Sequence, residues 1–320
     1  MADALLRTTI TNSNQAELRI LLLWGPNVMA KFVFRFITNL LPPRYRPASR
    51  PSKMVAIVTP ISNRPDLTAD ELISLRHLEH FLGGYDRFLI APKGLKFQLP
   101  GFETRYFSKN FFGSPQAHGR LLYRPEFFRE FEDYKYILIY HLDAVVFSDQ
   151  LMEWCETDLD YIGAPWIPGI HFWVSEPQVG NGGFTLMKVE AVLNVLRERY
   201  RMEPARYWEE QLLATVESVA RKVKFFTKLA PTRLLDRRFK IRKQLWRAQQ
   251  GVRHNDLFWS YDAVKYMPTF RVADWRTGVR FAFNRGPREF FELNERKLPF
   301  GCHAWYKWDR AFWEPYLIKE

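Results

Sequence analysis

Asp143 is the first residue whose position suggests chemistry. The apolar run Tyr136-Ile-Leu-Ile-Tyr140 leads into His141-Leu142-Asp143-Ala144. A carboxylate at the C-terminal end of a strand, over the crevice of an α/β sheet, is placed to hold a divalent ion that bridges a diphosphate. An Asp in that place also serves as a turn or helix cap, so its company matters. Val179-Gly-Asn181-Gly182-Gly183-Phe184 sets three glycines around an asparagine. That permits a close backbone approach to a ligand, or positive φ, although a plain hairpin turn has the same composition. Further on, His254-Asn255-Asp256 adds an acid. Pro299-Phe-Gly-Cys302-His303-Ala-Trp305 adds an imidazole, either a metal ligand or a core histidine.

The elements that must position these residues read as alternating strands and helices. Val55–Ile61 is a short β-branched run closed by the loop Ser-Asn-Arg-Pro-Asp. Leu67–Leu82 reads as an amphipathic helix with a capping box, Thr68 at the N-cap and Glu71 three residues on. Strands follow at Arg87–Pro92 and Phe102–Phe107, a helix around Leu121–Phe131, then the strongest strand, Tyr136–Phe147. This alternation implies a parallel α/β sheet whose ligand binds at the carboxyl ends of its strands.

Composition narrows the class. The 320 residues are 47% hydrophobic and 16% aromatic, which excludes a disordered chain. Two cysteines, Cys155 and Cys302, cannot build a disulfide framework, so a reducing compartment is expected. The net charge of +12 is concentrated in two places. Residues 1–53 carry a net +6, residues 221–250 a net +10, and the remainder −4. The first segment contains Leu18–Leu41, apolar but interrupted by Arg19, Lys31, Arg35 and Gly25-Pro26. Those charges and that helix break argue against a membrane span, leaving an interfacial helix or one packed on the protein's own core. The second segment interleaves Arg and Lys with Leu, Phe and Trp, which suits an anionic membrane surface or a solvated helical face. No nucleic-acid-binding signature accompanies the charge, so no nucleic acid is expected as partner.

Five blocks, Leu142–Phe147, Tyr161–Trp166, Val179–Phe184, His254–Trp259 and Pro299–Trp305, together resemble a group of bacterial glycosyltransferase-like proteins of the GT-A type, a domain family of unknown function. The resemblance covers about 54–190 and 251–308 and implies a mostly parallel Rossmann-related sheet flanked by helices. Both basic segments lie outside it, and together with the charge pattern it divides the chain into an N-terminal membrane-associating segment and linker, 1–53, and a catalytic domain, 54–320, interrupted by a basic helical insertion at 190–251. It implies transfer of a sugar from a nucleotide-sugar donor to a lipid-linked or polysaccharide acceptor, with Mn²⁺ or Mg²⁺. Asp143 then looks like the surviving acid of an Asp-x-Asp motif, with His141 in place of the first Asp and His303 completing the metal shell. Asp256 matches the general base of inverting relatives, although Asn255 and His254 depart from the family's residues there. Thr59 and Pro60, with Arg120, would bind donor, and Asn181, Gly182, Gly183 and Phe184 would line the sugar or acceptor. The expected location is peripheral, on the cytoplasmic face of the membrane. The rival expectation is a non-catalytic sugar- or nucleotide-binding protein on the same fold.

Overall fold

The computed structural model describes residues 51–61, 64, 66–203 and 255–319. Both basic segments are largely outside this range: the expected N-terminal interfacial helix, and the insertion from residue 204 onward together with His254.

Six strands form the main sheet: β1 (Lys53–Pro60), β2 (Asp86–Pro92), β3 (Glu103–Phe107), β4 (Tyr134–Tyr140), β6 (Tyr161–Trp166) and β7 (Gln178–Lys188), in the order β3-β2-β1-β4-β7-β6. The β3-β2-β1-β4 portion is parallel, while β7 runs antiparallel to both β4 and β6. The sheet is therefore mixed, mostly parallel and flanked by helices, as expected. The central strands are buried on both faces, which explains why Val55–Val58 and Tyr136–Tyr140 read as unbroken apolar runs. The chain builds outward from β1 to β3, then returns to place β4 on the other side of β1. Such a reversal opens a crevice at the carboxyl ends of β1 and β4.

Helix α1 (Ala69–Leu82) begins with the expected capping box: the Glu71 amide donates to Thr68 Oγ1, and the Thr68 amide donates to Glu71. Its inner face buries Leu75, Leu78 and Leu82 together with Ser74 and His77. Ser74 ties distant segments together, its carbonyl accepting from the Tyr140 hydroxyl at 2.8 Å and its Oγ from the Trp305 indole at 3.0 Å.

Two expectations are corrected. The helix expected around Leu121–Phe131 is two short ones, α2 (Pro115–Leu121) and α3 (Pro125–Arg129), because Pro125 cannot continue a helix but starts one. The strand expected over Tyr136–Phe147 ends at Tyr140, and β5 (Ala144–Val146) belongs to a second sheet with β8 (Ala282–Phe283) and β9 (Gly301–His303), ordered β5-β9-β8. His141, Leu142 and Asp143 make the turn between the two sheets, with the Ala144 amide donating to the His141 carbonyl at 2.8 Å.

Between the sheets' other elements lie α4 (Leu151–Glu156) and α5 (Val189–Met202), the latter burying Val192, Val195 and Leu196 in the main core. The helical stretch Asn255–Tyr266 contains a π turn at Phe258–Asp262. Then come α6 (Trp275–Phe281), α7 (Pro287–Leu293) and α8 (Arg310–Trp313). No described helix is long and apolar enough to cross a membrane.

Candidate functional site

The turn after β4 brings the first two candidate residues to the crevice. The His141 amide donates to the Gly183 carbonyl at 2.9 Å, continuing the β4–β7 register of Tyr140 opposite Phe184. Immediately afterwards β5 pairs antiparallel with β9, setting Ala144 opposite His303. Asp143 is thereby delivered beside His303, with its carboxylate Oδ1 3.0 Å from the imidazole Nε2. One donor atom each from His141, Asp143 and His303 lie within 4.8 Å of one another.

Glycines make this approach possible. The place a Cβ on Gly183 would take is filled by Nε2 of His303, and the place on Gly182 by Oδ1 of Asp256. A side chain at either position would drive the neighbouring group away. The Gly182-Gly183 dipeptide is thus held between the candidate base and the candidate metal ligand. Asn181 shapes it: its Oδ1 accepts from the Gly183 amide at 3.1 Å, and its carbonyl accepts from the Thr185 hydroxyl. The β6–β7 register shifts here, Gly163 facing Thr185 and Ala164 facing Asn181, so residues 182–184 bulge away from β6.

Asp256 is positioned by the π turn that follows it. The Ser260 hydroxyl lies 2.7 Å from the Asp256 carbonyl and 2.6 Å from that of Val179, and the Ser260 carbonyl accepts from Gln178 at 2.8 Å. Single π turns inside helices free carbonyls for such contacts. They stitch the Asp256 segment to the start of β7.

The electrostatics centre on Asp143. Burial alone would raise its carboxyl, but the adjacent His303, by charge and hydrogen bond, outweighs it, with His141 and Lys307 adding to the effect. The group is held well below the usual carboxylate range. Lys307 Nζ stands 2.5 Å from Oδ2. Burial would lower that ammonium, and the bond to Asp143 raises it instead. Burial pushes His141 well below the ordinary histidine range, with His118 and His303 assisting, and pushes His118 down to about 4. His303 has Nδ1 3.4 Å from Asn284 Nδ2.

Two imidazoles and a carboxylate form a donor set for a divalent transition ion, of the nitrogen- and oxygen-accepting kind. These residues fit such an ion: Oδ1 of Asp143 and Nε2 of His303 already converge, while Lys307 takes the opposite carboxylate oxygen.

The remaining expected residues are spread differently. Thr59 is fully buried near the end of β1, its hydroxyl without a partner among the described residues, and Pro60 is half-buried. Arg120 is half-buried on α2, two residues beyond His118. Phe184 does not line the site. Its ring is wholly buried among Tyr140, Phe281 and Phe300, because Phe184 keeps its pairing with Tyr140 on β4 and the ring completes the core. Sequence reasoning missed His118, Asn284 and Lys307. Only Lys307, four residues after His303, had a signal in its proximity.

Among solved structures, the chain is similar to a glycosyltransferase involved in glycosylation of the major capsid of PBCV-1, at 11% identity and a TM-score of 0.38, covering 78% of this chain and 92% of that one. It is also similar to the apo-form glycosyltransferase GlyE of Streptococcus pneumoniae TIGR4, at 13% identity and a TM-score of 0.39, covering 82% of this chain and 60% of that one. Likenesses this distant leave the functional reading to the site's own geometry. No curated protein matches the chain. A family model described as a protein of unknown function (DUF5672) matches residues 101–303, more than half of the chain, and the chain belongs to that family.

Proposed function

We propose that this protein is a glycosyltransferase that moves a sugar from a nucleotide-activated donor to a hydroxyl of a lipid-linked or polysaccharide acceptor. The observation that carries this reading is the convergence of His141, Asp143 and His303 beside the β1/β4 crevice, with Asp256 on the other flank of Gly182-Gly183. His141, Asp143 and His303 would hold Mn²⁺ or Mg²⁺, which supplies charge to offset that developing on a diphosphate leaving group. The end of β1, at Thr59 and Pro60, would receive the nucleoside, with Arg120 as a further donor-side contact. Asp256 would accept the proton of the attacking acceptor hydroxyl, which makes the reaction inverting. Asn181 and the glycine dipeptide would lie along the sugar. The Lys307 side chain, bonded to Asp143, is half-exposed, so it would also meet phosphate oxygens.

The two basic segments, net +6 and +10, support a peripheral location on the anionic cytoplasmic leaflet, where a lipid-linked acceptor would be presented. Binding to vesicles with and without anionic lipid, lost on removal of residues 221–250, tests that part.

One observation favours a second reading, a non-catalytic sugar- or nucleotide-binding protein. Both oxygens of Asp143 are engaged by His303 and Lys307, so the site is closed by the chain's own groups. Incubating the protein with UDP-, GDP- and dTDP-sugars and Mn²⁺ separates the two. Turnover abolished by Asp143→Ala supports the transferase. Binding without turnover for every donor and acceptor supports the second reading.

A further inference from the structure

The closest contact within the cluster that the proposed reaction leaves unused joins His118 to His141. Their Nε2 atoms are 3.3 Å apart and their rings meet edge to face, with centroids 5.0 Å apart. At 3.3 Å the two facing nitrogens form one hydrogen bond, so one donates and the other accepts. For His141 this choice decides what the ring can do. As acceptor it carries its proton on Nδ1 and has no lone pair to offer elsewhere. As donor it keeps Nδ1 unprotonated, with the lone pair available.

We propose that His118 is a positioning residue for the His141–Asp143–His303 cluster, its Nε2 accepting the Nε2–H of His141 and fixing the tautomer whose Nδ1 can ligate a divalent ion. This rests on reading that cluster as an ion site.

The surroundings hold His118 in place. Helix α2 is capped by Ser114, whose Oγ accepts from the Ala117 amide at 3.1 Å, and the His118 amide donates to the Ser114 carbonyl at 3.0 Å. At Gly119 a Cβ would lie 2.9 Å from Asn255 Oδ1, so α2 packs closely on the segment carrying Asp256. A polar ring in such a place costs desolvation that an apolar residue of similar bulk would avoid. The three imidazoles follow one another, His141 also meeting His303 edge to face at 5.6 Å. Histidines that bind metals are held in this way through their second nitrogen, and removing the outer partner weakens metal binding about 10–100-fold.

The test compares wild type with His118→Gln, which retains an acceptor, and His118→Leu, which retains bulk alone. Long-range ¹⁵N–¹H correlation on the ion-free protein reads the tautomer of His141, and calorimetric titration with Mn²⁺ reads affinity. We expect the Nε2–H tautomer in wild type and its loss in His118→Leu. Mn²⁺ affinity should fall about 10–100-fold in His118→Leu and recover mostly in His118→Gln. A proton on Nδ1 of His141 in wild type overturns the proposal, as does equal loss of affinity in both variants. Should wild type bind no ion while the tautomer responds as expected, the ion reading of the cluster falls and the hold of His118 on His141 stands.

Discussion

Nε2 of His303 occupies the position that a Cβ on Gly183 would require. The glycine therefore serves proximity: its neighbour's imidazole must touch the backbone of β7 to reach Asp143. Gly183→Ala should push the His303 ring off Asp143, at an overpacking cost of about 1–3 kcal/mol. A melting temperature lowered by a few degrees and Mn²⁺ affinity reduced at least about tenfold are expected. Wild-type values for both would show that the ring has room to move.

The Asp143–Lys307 pair leads to a separate expectation. The Asp143 side chain is 12% exposed and that of Lys307 52%, so the acid is nearly buried while water reaches the lysine. Asp143→Asn should cost about 1–3 kcal/mol in stability, because His303 and Lys307 both lose a charged partner. Transfer activity should fall at least about 100-fold, since an ion that offsets leaving-group charge contributes several kcal/mol. Chemical denaturation beside initial-rate kinetics checks this, and a variant that is strongly destabilised would assign Asp143 a structural role.

Much of the frame could be read from the residues. The capping box at Thr68 and Glu71 and the β-branched run of β1 are local signals, and local signals need no tertiary information. The break at His141 could not be read so: Tyr136–Phe147 is apolar or aromatic throughout apart from His141 and Asp143, and only β9 reveals that its second half pairs in another sheet. His141, Asp143 and His303 were legible as chemistry-bearing types at strand ends. His118 was not, because its meaning comes from a 3.3 Å contact across 23 residues of sequence. Phe184 was misassigned for the opposite reason: proximity to the glycines in sequence placed it at the site, whereas its pairing with Tyr140 on β4 sends its ring into the core.

Asp256 should matter for rate more than for stability. Its side chain faces the Gly182 backbone, while its main-chain carbonyl lies at the Ser260 hydroxyl. Asp256→Asn preserves the shape and the carbonyl and removes the base, so kcat should fall about 10²–10⁴-fold with KM for the donor unchanged. A loss confined to KM would make Asp256 a binding group.

A pH effect is expected at the opposite end of the chain. His77, buried on α1, lies with Nδ1 2.8 Å from the Val146 carbonyl, and its Nε2 accepts from the Ile318 amide at 2.7 Å. Those partners require a neutral ring with its proton on Nδ1. Burial holds the group below the ordinary histidine range, with the Val146 carbonyl only partly opposing and His80 adding to the lowering. The unfolded chain thus takes up a proton near pH 6.5, before the folded one does. The stability contributed by neutral His77 is fully present above that pH and is lost as pH falls toward the folded value. Protonation at Nε2 removes the acceptor for Ile318, so the C-terminal residues should detach in the same range. Hydrogen exchange at the Ile318 amide, corrected for its intrinsic pH dependence, should lose protection over the interval below about pH 6.5. Protection that stays constant across that interval would mean His77 keeps its neutral form and the segment is anchored elsewhere.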